Sequence, residues 1–450
     1  MKRYEAYKDS GIEWIGWIPQ DWSVSRIKFE VDMVLGKMLE DKEPKNNDGD
    51  YTLEPYLKSR NIGMLQLFNK LNELDRMWFN SKEKSIYELH DGDLVMNEGG
   101  DVGKVSLWKD TGFKCYIQNS VHKLTPHRDT LNSVFLQYLI FYITNKGYFN
   151  SVVNPISITH LTKEKLAETP IILPSLYEQQ AIASYLDHKV ELIEASITSI
   201  NTQIEELKSY RQSIISEVVT KGLNPNVPMK DSGVEWIGQI PKDWNIIKLA
   251  LLTNKIGSGK TPTGGAEVYT DDGVMFIRSQ NVYNDGLITD NVSFISDEIN
   301  QTMLNSKVEY QDVLLNITGG SIGRSCYISD ININANVNQH VCIIRCKKEK
   351  MDPEFLHYLL ISSFIQNQIR ACQTGSNRDE LNFEQIGKFI TIVPSLTEQK
   401  EIVKYLDSMI SRIDVTVKSL ENQRDDLNAL KQSVISEAVT GQIDVRNNNN

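Results

Sequence analysis

The sequence is poor in three things that would each announce a familiar class of protein: cysteine, uninterrupted hydrophobic runs and positive charge. Its five cysteines, Cys115, Cys326, Cys342, Cys346 and Cys372, are an odd set, and no Cys-x-x-Cys occurs. That usage excludes a disulfide framework and points to reduced thiols serving as packing residues. His340, Cys342 and Cys346 lie close together, but a zinc site needs a second pair of ligands at recognisable spacing, so no metal is expected. No segment approaches the roughly twenty apolar residues of a membrane span. The opening Met1-Lys2-Arg3-Tyr4-Glu5 is not followed by the apolar stretch of a secretory signal, so a cytoplasmic location is expected. Lysine and arginine total 48 against 59 aspartates and glutamates, a net charge of −11. Such a balance excludes coating nucleic acid by bulk electrostatics. Phosphate contacts would require cations gathered on one face, or help from other chains.

A nucleotide-binding loop is missing too. Gly257-Ser258-Gly259-Lys260-Thr261 imitates the end of a phosphate-binding loop, but Asn254 stands where its first glycine belongs. Pro262 follows inside the turn where the loop's helix would begin.

What is present is ordinary globular composition, 40% apolar and 24% charged, arranged as a repeat. At 450 residues the chain has room for about two to four domains, each burying its own core. YKDSGIEWIGWIPQDW, from residue 7, returns as MKDSGVEWIGQIPKDW from residue 229. PSLYEQQAIASYLD, from residue 174, returns as PSLTEQKEIVKYLD from residue 394, and SIISEVVT as SVISEAVT from residue 433. The offset stays close to about 220 residues and is echoed between these blocks. Lys58-Ser59-Arg60-Asn61-Ile62 aligns with Arg278-Ser279-Gln280-Asn281-Val282, and Gly99-Gly100-Asp101-Val102-Gly103 with Gly319-Gly320-Ser321-Ile322-Gly323. Other stretches, such as 63–90 against 283–309, diverge strongly. One scaffold used twice with different surfaces explains the alternation.

Each repeat has two textures. Its first part carries short apolar runs bounded by turn formers, such as Val313-Leu314-Leu315 and Val341-Cys342-Ile343-Ile344, which predict short strands. Its tail, about 177–221 and again 397–440, has no internal glycine or proline. Leu186, Ile193, Ile200, Leu207 and Ile214 form one heptad row there, and Val190, Ile197, Ile204 and Val218 a second. In the second tail Leu406, Ile413, Leu420, Leu427 and Val434 hold one row, while Arg424 and Lys431 interrupt the other. A period of 3.5 predicts two coiled-coil helices, each about 65 Å long. Ser175 and Ser395 are available as N-caps after Pro174 and Pro394, and Gly222 and Gly441 as stops. The polar interruptions, with Arg211, either control register or leave edges for a third element. A long helix lying on a globular core is the alternative to a coiled coil.

Duplicated P-S-L-x-E-Q-x-x-I-x-x-Y-L-D blocks opening long helices, and W-I-G-x-I-P-x-D-W blocks opening variable regions, closely resemble the specificity subunits of type I restriction-modification systems. The resemblance covers essentially the whole chain. It implies an α+β fold with an internal pseudo-twofold repeat: target recognition domains of mixed sheet and short helices at 1–175 and 223–395, joined by long antiparallel helices at 176–222 and 396–450. It implies an asymmetric, bipartite target in double-stranded DNA, one half read by residues near 23–173 and the other near 245–393, with a gap set by the helices. It further implies two docked modification subunits carrying S-adenosylmethionine, restriction subunits carrying the nuclease and motor, and no cofactor or catalysis in this chain. A fused adenine methyltransferase would resemble its class in an Asn/Asp-Pro-Pro-aromatic motif, which Asn154-Pro155-Ile156-Ser157 does not complete.

A residue kept in both heads cannot distinguish two different half-sites. Gly100, Gly103, Gly320 and Gly323 are therefore expected to be turn glycines. Lys58, Arg278, Lys104 and Arg324 share charge across the halves and suit phosphate contacts that position without specifying. The pairs Arg60-Asn61 and Gln280-Asn281 suit either a structural turn or contact with DNA. Base readers are sought where the heads differ: Lys70, Arg76, Lys82 and Lys84 in the first, and Asn300, Gln301, Asn305, Asn377 and Arg378 in the second. Trp14, Trp22, Trp236 and Trp244 recur with the repeat and are expected to anchor the segment entering each head. A coiled-coil scaffold with protein- or carbohydrate-binding heads is the alternative function, separable by the steep salt dependence of DNA binding. A self-contained modifying enzyme, the third class, would transfer methyl groups as the purified chain alone.

Overall fold

The computed structural model of the protein describes residues 2–39, 42, 50–66, 73–109, 112–153, 160–234, 236–262, 264–373 and 380–446. The chain forms two compact units, one from residues 1–200 and 422–450, the other from 201–421.

Unit 1 opens with an antiparallel hairpin, Tyr7–Asp9 against Trp17–Pro19. A four-stranded antiparallel sheet follows, in the order Val31–Leu35, Val121–Pro126, Leu94–Asn97, Val105–Leu107. Leu94, Val95 and Met96 are all buried, because this strand has apolar neighbours on both faces and so needs no alternation. In a second sheet, Thr52–Leu57 pairs antiparallel with Arg76–Phe79 and parallel with Tyr116–Ile117. Helix α1, Ser133–Asn145, is capped by Asn132, whose Oδ1 accepts from Phe135 N at 3.0 Å. It buries Phe135, Leu136, Leu139, Ile140 and Ile143 in the unit's core.

Unit 2 repeats this plan. Its hairpin pairs Met229–Asp231 with Gln239–Pro241. Its antiparallel sheet runs Thr253–Ser258, Val341–Cys346, Val313–Asn316, Ser325–Tyr327. Val274–Ile277 again has one antiparallel neighbour, Ser293–Ile295, and one parallel neighbour, Ala335–Val337. The strands expected at Val313 and Val341 are therefore present. Cys342 and Cys346 are buried in the second of these, Cys326 in Ser325–Tyr327, and Cys115 in unit 1, as packing residues. The Gly257–Thr261 segment carries the end of a strand rather than a phosphate loop: Gly259 N donates to Asn338 O at 3.1 Å, and a Cβ there would collide with Val337 O.

The two tails are the continuous helices α2, Leu176–Lys221, and α4, Leu396–Val439, with Pro353–Ile361 as α3 between them. Ser175 and Ser395 do cap: their Oγ atoms accept from Glu178 N at 3.4 Å and Glu398 N at 3.3 Å. Gly222 and Gly441 end the helices at φ +79° and +69°, left-handed values that favour glycine. The heptad rows are buried at Leu186, Val190, Ile193, Ile197, Ile200, Ile204, Ile214 and Val218 of α2 and at Leu406, Ile410 and Ile413 of α4, while Leu207, Leu420, Leu427 and Val434 are half-buried.

Within each unit the helix segments run antiparallel. In unit 1 Lys431 of late α4 meets Glu194 of early α2 at 2.6 Å, and in unit 2 Arg211 of late α2 meets Asp414 of early α4 at 3.5 Å. Lys431 and Arg211 thus fix register across the pair, while Arg424 bonds its neighbour Asp425. Each core takes in both helices. Unit 1 packs Ile182, Leu186 and Val190 of α2 with Ile435, Ala438 and Val439 of α4, then Ile443 and Val445 beyond it. Unit 2 packs Ile402, Val403 and Leu406 of α4 with Ile214, Ile215, Val218 and Val219 of α2. In unit 1 the two chain ends meet directly: Asp444 N donates to Lys2 O at 2.8 Å, and Arg446 lies over the Tyr4 ring.

Candidate nucleic-acid interface

The most strongly repeated polar residues are fasteners. Trp22 Nε1 donates to Glu178 at 3.3 Å, and Trp244 Nε1 to Glu398 at 3.0 Å. Gln179 accepts from Asn132 N at 2.8 Å and donates to Thr130 O and Pro174 O at 2.9 Å each. Gln399 does the same with Asp352 N, Lys350 O and Pro394 O at 2.7, 3.1 and 3.0 Å. Tyr138 donates to Asp187 at 2.9 Å and Tyr358 to Asp407 at 2.5 Å. Burial, then the facing carboxylate, push both phenols far above their ordinary range, so they stay protonated donors. The Glu-Gln…Asp of each repeated block is thus accounted for by clamping a long helix to a head. Trp22 and Trp244 are buried as expected. Trp14 and Trp236 pack more openly, against Tyr148 at 5.1 Å and Phe364 at 5.3 Å.

At one end of the sheets, several loops converge in each unit. A 3-10 turn, Ser59–Asn61, follows Thr52–Leu57, and its twin, Ser279–Asn281, follows Val274–Ile277. Asn61 Oδ1 accepts from Lys58 N at 3.1 Å and its own N–H donates to Lys58 O at 2.8 Å; Asn281 and Arg278 make the same two bonds at the same distances. Ser59 N donates to Ser120 Oγ at 3.1 Å, and Glu98 N to Ser120 O at 3.0 Å, which draws in the loops around 98–103 and 118–120. In unit 2 Asn316 Nδ2 holds Ser279 O at 2.8 Å, and Ile317 N bonds His340 O at 3.0 Å. The glycine loop sits in this cluster. Gly100, Gly103 and Gly323 have left-handed φ values of +74°, +90° and +85°; in the second copy the earlier left-handed residue is Gly319, not Gly320. Gly103 O accepts from Thr144 of α1, and Gly323 O from Gln366.

The expected cations occupy different settings in the two units. Lys58 and Arg60 share Asp75, the latter at 3.1 Å, and the Lys58 bond, aided by the Arg60 charge, holds that carboxyl below its usual range. Lys84 pairs with Glu54 and Lys104 with Asp101, both at 2.5 Å. Arg76 and Lys82 are exposed on Arg76–Phe79 and the helix after it. In unit 2 the cations lie over rings, Arg278 over Tyr269 at 5.5 Å and Arg324 over Tyr283 at 4.7 Å. Gln280, Gln301 and Asn305 are exposed.

Two candidates are turned inward. Asn281 is buried, with its amide committed to Arg278 N and Ile288 O, and Asn300 is buried, accepting from Asn336 at 2.9 Å. Asn61 likewise spends its side-chain oxygen inside its own turn. The structure therefore corrects Asn300 from a reader to a part of the scaffold and gives Asn281 the structural-turn role, because a buried amide whose oxygen is already bonded has no donor–acceptor pair to offer a base edge. Lys70, Asn377 and Arg378 lie outside the described residues, as do Asn154–Ser157. Sequence reasoning passed over Gln118-Asn119-Ser120 and Asn338-Gln339-His340, which occupy matching positions in the repeat; their shared offset, with polar type kept and identity changed, was the available signal.

The chain is thus two copies of one α+β unit, alike in their fasteners and unlike in their exposed loop chemistry. Its residues 19–208 and 241–423 both match the model of the type I restriction modification DNA specificity domain, and the chain belongs to that family. It is 25% identical over 437 residues to the MjaVIII specificity subunit of Methanocaldococcus jannaschii, covering 96% of this chain and 95% of that one. It is 27% identical over 368 residues to the EcoBI specificity subunit of Escherichia coli, covering 79% and 75%. Its fold is similar to a chain from a solved type I R-M system assembly, with TM-score 0.70 at 15% identity over 95% of this chain and 99% of that one. The HsdS subunit of Thermoanaerobacter tengcongensis matches with TM-score 0.50 at 17% identity over 95% and 98%. The role of the chain is DNA specificity in restriction-modification, and it is a specificity subunit rather than a catalytic one. Among the described residues no helix is long and apolar enough to cross a membrane.

Proposed function

We propose that the chain reads an asymmetric, bipartite site in double-stranded DNA, one half per unit, and docks two modification subunits and the restriction subunits of a type I complex. The observation that carries this reading is the duplicated loop cluster: the same turn, held by the same bonds, presents Arg60 in one unit and Gln280 in the other. Equal backbones with unequal exposed donors suit two different half-sites. The gap between half-sites follows helix length, as half-site spacing follows protein geometry in other DNA binders. S-adenosylmethionine and the methyl-transfer chemistry belong to the modification subunits, the nuclease to the restriction subunits, and the assembly works in the cytoplasm. The solved assembly that shares the fold, and the specificity subunits that share the sequence, support these partners.

The ion-paired cations explain how an acidic chain serves in such a complex. Ion pairs this accessible to solvent are worth only about 0–1 kcal/mol, so Lys58 and Lys104 can exchange a carboxylate for a phosphate at little expense. The test is to replace residues 23–173 with the matching region of a relative and sequence modified bases in a host carrying the whole system. One half-site should change and the other persist; a change in both, or in neither, would refute the division of labour. A head that binds protein or carbohydrate would instead show DNA affinity indifferent to salt.

A further inference from the structure

The two turns at Ser59–Asn61 and Ser279–Asn281 allow the division of labour to be taken down to single residues. Three of the four positions from residue 58 or 278 onward are spent on the scaffold or matched across the repeat. The fourth residue of each turn, Asn61 or Asn281, closes it through its side-chain oxygen. The serine is held by a neighbouring loop, Ser59 through Ser120 and Ser279 through Asn316. The first residue is a cation in both, Lys58 or Arg278. Only the third position is both exposed and chemically different, Arg60 against Gln280.

The backbone beneath that position is held from both sides, so its side chain is presented from a pre-organised base. Pre-organisation is what a base-reading residue needs, since each immobilised long side chain otherwise costs about 0.5–1.5 kcal/mol on binding. In unit 1 the guanidinium is steadied further: Asp75 holds one Nη at 3.1 Å, leaving the remaining N–H donors of a planar fork. Arginine matches the O6 and N7 acceptors of guanine, whereas a glutamine amide, one donor and one acceptor, matches N6 and N7 of adenine. A phosphate-positioning role would not need this substitution, because glutamine carries no charge with which to replace arginine.

We propose that residues 60 and 280 are one base-reading position used twice, Arg60 selecting a guanine in the half-site of unit 1 and Gln280 an adenine in the half-site of unit 2. The proposal rests on the reading of the chain as a DNA specificity subunit. It is tested with the full chain assembled with its modification subunits, by selecting bound duplexes from a randomised pool at fixed salt. The Arg60→Ala variant should lose about tenfold to a hundredfold of its preference at a single guanine in one half-site. Gln280→Ala should do the same at a single adenine in the other. Arg60→Gln should convert the guanine to adenine. A consensus unchanged in the Arg60 and Gln280 variants overturns the proposal, as does an affinity loss shared by all sequences, which would make these residues phosphate contacts. If the unaltered assembly itself selects no bipartite consensus, the DNA-specificity reading fails first, so the two failures are distinguishable.

Discussion

Unit 1 and unit 2 are built on one plan but dress it differently, most plainly in the cations around their repeated turns. The buried fasteners are the same: Gln179 and Gln399, Tyr138 with Asp187 and Tyr358 with Asp407, Trp22 with Glu178 and Trp244 with Glu398. The cations, exposed at Arg60 and half-buried at Lys58, Lys104, Arg278 and Arg324, are not. Unit 1 sets them against carboxylates, and unit 2 lays them over tyrosine rings. Either arrangement contributes only about 0–1 kcal/mol at an exposed site. A surface residue can therefore change what it recognises without cost to the fold, whereas a fastener cannot change without loosening its unit.

The sharpest way to break that symmetry is to cut one fastener at a time. Gln179→Ala would leave the buried Pro174 carbonyl and the partly buried Asn132 N–H and Thr130 carbonyl unpaired and should cost unit 1 about 2–4 kcal/mol, and Gln399→Ala should cost unit 2 as much. Urea unfolding with limited proteolysis would show which unit opens; a loss below about 1 kcal/mol would show that the motif does not clamp the helix. A smaller effect should distinguish the two glycine loops. A Cβ on Gly103 would meet Thr144 Oγ1 at 2.5 Å and Cγ2 at 2.7 Å, a short branched side chain on α1, whereas on Gly323 it would meet the flexible end of Gln366 at 2.6 Å. Both positions also have left-handed φ. Gly103→Ala should cost about 2–4 kcal/mol and Gly323→Ala about 1–2 by thermal unfolding, and equal losses would mean that Thr144 yields as readily as Gln366.

The smallest effect is one of pH. His122 in unit 1 is buried with Nε2 2.8 Å from Leu161 O and, among the described residues, no hydrogen-bond partner at Nδ1; Cys342 occupies the matching strand position of unit 2. Burial holds the His122 imidazole below its ordinary 6.5 and pushes the Cys342 thiol up to about 12. The unfolded chain therefore binds a proton that folded unit 1 refuses, so His122 lets unit 1 lose stability as pH falls below 6.5 toward its folded value. Unit 2 has its own acid limb through His357, pushed down to about 4 by burial. His122→Cys should flatten the acid limb of unit 1 alone; an unchanged pH profile would show that the imidazole is protonated without penalty.

The larger architecture was legible because its signals are local or repeated. Heptad rows, Ser175 and Ser395 as caps, Gly222 and Gly441 as stops, and the apolar strands at Val313 and Val341 all declare themselves within a few residues. The site was legible only in outline. Lys58, Arg60, Lys104, Arg278, Gln280 and Arg324 do gather with the repeated turns and glycine loops or lie beside them, but Asn300 was sought as a base reader and is fastened inward, while Asn61 and Asn281, left open between turn and contact, close their turns. An asparagine that caps a turn and one that faces solvent have the same letter. What separates them is the partner, here Lys58, Ile288 or Asn336, whose identity emerges only on folding. The loops at 118–120 and 338–340 escaped for the opposite reason: nothing in their own chemistry stands out until they are seen bonded to the turns.

By itself the sequence determined the duplication, the two long helices with their ends, the strand runs and the family, since each depends on neighbours along the chain or on a copy of the same words elsewhere. Only the tertiary structure decided that unit 1 is completed by residues 422–446 and unit 2 by the later half of α2. It also decided which repeated polar residues clamp and which face outward. Burial and hydrogen-bond satisfaction are settled by groups distant in sequence, and no local pattern encodes them.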